Sequence, residues 1–136
     1  MNITQLKNKI DTFYCEIDNA YGAIVCIREA AKNSNDEAFS CFSAELYSIE
    51  HYLMLLVNIL DKETSEFNQS INELNIQRFN KYLQRVLELF VENVSNAPCD
   101  ENTCFLHRKS IGAAFAAYGI VRSVSGDFLL IMNEAA

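Results

Sequence analysis

The apolar residues at the start of this chain recur at alternating intervals of three and four: Ile3, Leu6, Ile10, Phe13, Ile17, Ala20, Ile24, Ile27 and Ala31. A mean period of about 3.5 puts every one of them on the same side of an α-helix, whereas a strand would send successive residues to opposite faces. A helix with one long apolar seam cannot bury that seam alone, so other helices must cover it. The next stretch repeats the pattern without a slip at Phe39, Phe42, Leu46, Ile49, Leu53, Leu56 and Leu60.

Two more helices complete the reading. Ile76, Phe79, Leu83, Val86 and Phe90 mark a third inward seam, and a fourth helix follows the loop that holds Pro98, the single proline among 136 residues. The expected helices cover about 3–33, 35–62, 75–94 and 105–133. Ser34 or Asn35 is the expected cap of the second helix, with Asp36 and Glu37 in its first turn, where the dipole favours negative charge. Residues 61–75 read as a polar connection anchored by Phe67, Ile71 and Leu74. The fourth helix is apolar or small nearly all round, which suits the buried centre of a fold or an oligomer contact. The expected architecture is all-α: a single-domain antiparallel four-helix bundle over residues 1–136, with a buried, glycine/alanine-rich C-terminal helix.

Composition excludes several alternatives. Half the chain is apolar, which is too much for a disordered acidic tail. One proline and four glycines supply too few turn signals for a β-sandwich. The formal charge of −7 counts against nucleic-acid binding, which needs a basic face. The first residues show no basic region followed by an apolar run, so no signal peptide is expected. The longest apolar stretch, 110–132, contains Arg122 and Asp127, and no membrane span is expected there. Cys15, Cys26, Cys41, Cys99 and Cys104 form an odd set. They read as small apolar residues of a reduced cytoplasmic protein.

Three constellations remain as candidate sites. In the fourth helix Gly112, Ala116, Gly119, Ser123 and Gly126 are spaced by four, three, four and three, so small residues share one stripe. Each helical glycine costs about 1 kcal/mol relative to alanine, and close approach of another helix is the usual compensation. Tight packing inside the bundle is the first expectation for the stripe. A homodimer seam or a groove for a ligand is the alternative. Cys99, Cys104 and His107 are metal-ligand types, but their spacing matches no standard zinc module and a fourth ligand would have to come from Asp100 or Glu101. We expect no metal or other cofactor, and His107 reads as a surface histidine. The Glu-x-x-His pairs of di-iron bundles are missing, since Ser48 and Cys104 precede the two histidines by three. No phosphate loop, nucleophile elbow or hydrolytic triad is evident, so no enzyme activity is expected.

The third constellation is acidic. Residues 35–64 hold six carboxylates against Lys62 alone, a balance of −5. Asp36, Glu45, Tyr47, Glu50 and Asp61 form the expected partner-binding set on the polar side of the second helix. Such a face suits a basic protein partner, because carboxylates imitate phosphates and steer association. The expected function is therefore a non-catalytic acidic binding module of the inhibitor or bacterial immunity-protein type, masking a basic site such as that of a nuclease toxin. The alternative is a homo-oligomeric bundle, structural or ligand-sensing, built on the Gly112/Gly119/Gly126 stripe. Arg78, Lys81 and Arg85 on the third helix read as a solvated stripe paired with Glu88 and Glu92.

Overall fold

A computed structural model describes residues 3–61, 73–97 and 99–133. Among them lie four long helices, α1 (Ile3–Lys32), α2 (Glu37–Leu60), α3 (Glu73–Phe90) and α4 (Phe105–Asn133), and no strand. The α1 seam is buried from Leu6 to Ala31 at every expected position, and only Ile3 stays exposed. All seven seam residues of α2 and all five of α3 are buried as well. Strict three-four spacing leaves little choice, since any rotation of these helices would exchange the whole seam for charged neighbours.

The chain folds as an antiparallel bundle. α1 packs along α2 and α4, and α3 packs along α2 and α4, so each helix has two neighbours and the last returns to the first. Thirty buried hydrophobic residues drawn from all four helices and the turn after α3 form one core, with Phe13, Phe39, Phe79, Phe90 and Phe128 fully enclosed. Burying one such side chain contributes about 1.5–3 kcal/mol, offset by the entropy of ordering the chain.

Local chemistry differs from expectation at three places. The cap of α2 is Asp36, not Ser34 or Asn35. Asp36 has extended backbone (φ −77°, ψ 119°), and its Oδ1 accepts the Phe39 N–H at 2.9 Å. Ser34 Oγ accepts the Asp36 N–H at 3.0 Å and holds the capping residue in place. A cap of this kind contributes about 1 kcal/mol. The third helix widens after Phe90 into one π-helical turn, Val91–Ser95, which buries Val94 and leaves Val91 exposed. Asn93 secures this turn by donating its side-chain amide to the Glu45 carbonyl at 3.0 Å. Leu74 is exposed in the first turn of α3 rather than anchoring a connection. Phe67 and Ile71 lie outside the described residues.

The fourth helix departs most. It buries one seam, running from His107 through Ala114, Ala117, Val121 and Val124 to Phe128 and Ile131, instead of sitting at the centre of the fold. Its opposite face is open, because α1 and α3 cover only one side of it. The cysteines also differ. Cys15, Cys26, Cys41 and Cys99 are exposed and so are not core filler, Cys104 is half-buried against the core, and none of the five is bridged.

Candidate functional site

The acidic set on α2 is divided by the fold into separate neighbourhoods. Tyr47 and Glu50 share a shallow pocket with Arg28 from α1 and with His51. The Arg28 Nε lies 2.8 Å from Glu50 Oε2, and both side chains are largely buried, at 17% and 12% exposed. Hydrogen bonding to Glu50 raises the Arg28 pKa above its ordinary value, so the guanidinium stays charged and neutralises that carboxylate. Arg28 also lies 5.9 Å from the ring centre of Tyr47. Glu50 therefore serves the α1–α2 contact, and its charge is compensated inside the bundle. Asp61 is the C-cap residue of α2, about 37 Å along the helix from Asp36 at 1.5 Å per residue.

Asp36 and Glu45 come together elsewhere. They line a cleft of about 400 Å³ between the start of α2 and the loop before α4, along with Asp100, Phe42, Thr103 and His107. Asp100 is held by its own loop: its Oδ1 accepts the Asn102 N–H at 2.8 Å and the Thr103 hydroxyl at 3.4 Å. Glu45 is exposed at the rim.

His107 overturns its reading as a surface residue. It is 3% exposed, with its ring stacked on Phe39 at 5.1 Å and tilted against Phe42 at 5.2 Å between centroids. Both ring nitrogens are buried without a hydrogen-bond partner among the described residues. Cys104 takes a different role, as its Sγ accepts the His107 N–H at 3.4 Å and caps the first turn of α4. With the imidazole turned into the core and Cys99 exposed, the three residues do not converge. Among the described residues no group of three or more His, Cys, Asp or Glu side chains could hold a metal ion.

The sequence contained a signal for His107 that the metal-ligand reading passed over. Ser110, Ile111 and Ala114 stand three, four and seven residues later, and all are buried on the α4 seam. Periodicity alone puts His107 on that seam.

The small-residue stripe is placed opposite to the first expectation. Gly112, Ala116, Gly119, Ser123 and Gly126 are all exposed, and a Cβ added at any of the three glycines would meet nothing within 4 Å. Among the described residues no helix packs on them. The same face carries Phe115, Leu129 and Leu130, which are 43%, 43% and 65% exposed. Arg122 is the one charged residue among the exposed positions from 112 to 130. By length and composition α4 is also apolar enough to cross a membrane, although one third of its most apolar window is buried against the bundle. On α3, Arg85 pairs with Glu88 at 3.1 Å and lies 3.8 Å from Glu92, in line with a solvated stripe. Hydrogen bonding to Glu88 raises the Arg85 pKa above its ordinary value.

Comparison with known proteins yields no match to a family model, to a curated protein or to a solved structure.

Proposed function

We propose that the protein is a non-catalytic helical interaction module that assembles with a second copy of itself through the outward face of α4. The observation that carries this reading is the exposure of three glycines in the middle of a 29-residue helix, with no neighbour among the described residues to account for them. Together they give up about 3 kcal/mol of helix propensity. A second helix approaching closely along the stripe supplies the compensation.

The stripe suits a twofold contact. Gly112 and Gly126 stand seven residues either side of Gly119, so two antiparallel copies crossing at Gly119 set Gly112 against the partner subunit's Gly126. The same register brings Arg122 opposite the partner subunit's Ala116. Ala116 lines a groove with Glu16 of α1, whose buried Oε2 has no hydrogen-bond partner among the described residues. The contact is thus self-complementary in shape and in charge.

Sedimentation equilibrium at micromolar concentration tests the reading. The expected species is a dimer. Gly119→Leu is expected to make it monomeric while far-UV circular dichroism stays the same, and Arg122→Glu is expected to weaken it. A wild-type monomer at these concentrations overturns the proposal, as does flotation of the chain with liposomes in place of dimer formation.

A second reading is favoured by the convergence of Asp36, Glu45 and Asp100 at one cleft. It is the inhibitor-type module that masks a basic site on another protein, now centred on the head of α2 and without Glu50. Its support is electrostatic: among the described residues that line the cleft there is no lysine or arginine, and carboxylates grouped in this way steer a basic surface. A partner recovered by pull-down whose affinity keeps its salt dependence after Glu45→Lys rules this reading out.

A further inference from the structure

We infer that self-association through α4 also takes in the outward line of α1, where Asn19 of the partner subunit donates the hydrogen bond that the Glu16 carboxylate lacks. The inference rests on the assembly proposed above, and it gives that assembly a second helix and a polar determinant.

Area requires a second helix. The stripe belongs to a helix of 29 residues, about 43 Å long at 1.5 Å per residue and roughly 10 Å across. It therefore offers about 430 Å² per subunit, near half of the roughly 800 Å² that a stable interface buries on each partner. α1 is the neighbour suited to the rest. Asn8, Thr12, Cys15, Asn19, Gly22 and Cys26 are spaced by four, three, four, three and four, and all are exposed. This line resembles the stripe of α4. It carries no charge, no aromatic ring and no long aliphatic chain, and a Cβ added at Gly22 would meet nothing within 4 Å. The other neighbour, α3, borders α4 with Glu88, Val91 and Glu92, whose bulk and charge suit a close approach less well.

The geometry of the twofold contact places α1 in it. Between α1 and α4 runs an open groove of about 370 Å³, lined by Glu16 and Asn19 from α1 and by Ala116, Gly119, Ile120 and Ser123 from α4. Glu16 and Asn19 therefore stand level with Gly119, where the two copies cross. A twofold axis that reverses α4 at that level runs across the helices and leaves α1 of each copy on the same side. The two α1 helices then meet antiparallel as well. Their crossing falls between Glu16 and Asn19, which sets each Glu16 against Asn19 of the partner subunit.

The groups that meet there are complementary. The Glu16 carboxylate is half-buried, and its Oε2 is enclosed without a hydrogen-bond partner among the described residues. Oε1 is not enclosed in this way and is the oxygen open to a donor from outside. Leaving such a carboxylate unbonded is costly, because its lost hydration is not replaced. Asn19 is exposed, and its side-chain amide has two N–H donors. An amide on a carboxylate makes a charge-assisted hydrogen bond, and the twofold axis makes it twice.

Sedimentation equilibrium of the full chain at neutral pH and micromolar concentration reads the dissociation constant. Asn19→Asp sets carboxylate against carboxylate twice in each dimer. A lost charge-assisted hydrogen bond weakens association about tenfold, so this variant is expected to raise the constant about a hundredfold. Glu16→Gln combined with Asn19→Asp exchanges donor and acceptor, and is expected to bring the constant back to within about threefold of the wild type. A role in the monomer fold alone would not produce that rescue. Far-UV circular dichroism and Tm in dilute solution are expected to match the wild type for both variants. A dimer that Asn19→Asp leaves intact, or a double variant as weak as the single one, overturns the inference and leaves assembly through α4 standing. A wild-type monomer overturns both.

Discussion

Phe128→Ala is expected to lower the unfolding free energy by about 3–5 kcal/mol, the usual cost of emptying a phenylalanine site in a packed core. Phe128 is 1% exposed on the inner seam of α4, and its ring meets Phe79 of α3 edge-on at 5.0 Å between centroids. The contact joins the two helices that close the bundle, and its aromatic geometry adds about 0.5–1.5 kcal/mol beyond area burial. Few side chains near the site can refill it, because Val124 and Ile131 on the same seam are themselves buried and committed. Urea unfolding followed at 222 nm checks the value. A midpoint shifted well to lower urea with the slope unchanged is the expected outcome. A loss under about 1 kcal/mol would mean that α4 does not dock in this orientation.

Replacing Gly112, Gly119 and Gly126 together with alanine is expected to act in the opposite direction. In dilute solution, where the chain is monomeric, the triple variant should unfold about 2–3 kcal/mol higher than the wild type. Each replacement recovers about 0.8–1 kcal/mol of helix propensity. None of the three introduces a clash, since an added Cβ would meet nothing within 4 Å. At higher concentration the advantage should shrink, because self-association stabilises the wild type by mass action and the added methyl groups hold two stripes apart. Thermal unfolding over a range of protein concentrations reads both effects. A destabilised variant under dilute conditions would show that the glycines are packed within the monomer, and it would reverse the placement of this helix face.

The inward half of the molecule was legible in the sequence. The seams of α1, α2 and α3 are buried at every expected residue except Ile3, and α4 has the expected bounds of 105–133. The outward half was not. The stripe of α4 and its core-facing seam are both rich in small residues, so periodicity finds two apolar faces and does not say which one the bundle takes. Ala114, Ala117, Val121 and Phe128 went inward, leaving the glycines open. The acidic set forms one surface by sequence spacing alone, because its members share a sector of one helix. α1 divides it, placing Arg28 against Glu50. The cleft depends on residues from α2 and from a loop some sixty positions later, a proximity that no local pattern contains.

By itself, then, the sequence determined the helices, their inner faces and the bundle that follows from them. These rest on interactions within a few turns of one helix, where every apolar residue has the same destination. Only the tertiary structure decided which face of α4 stays open, that Glu50 is neutralised, and that His107 lies buried and unpartnered beside Asp36, Glu45 and Asp100. Those outcomes depend on competition between helices for a limited core and on contacts between residues distant in the chain. The balance is settled by the sum of all packing contacts at once, and a spacing rule applied to one helix at a time does not contain that sum.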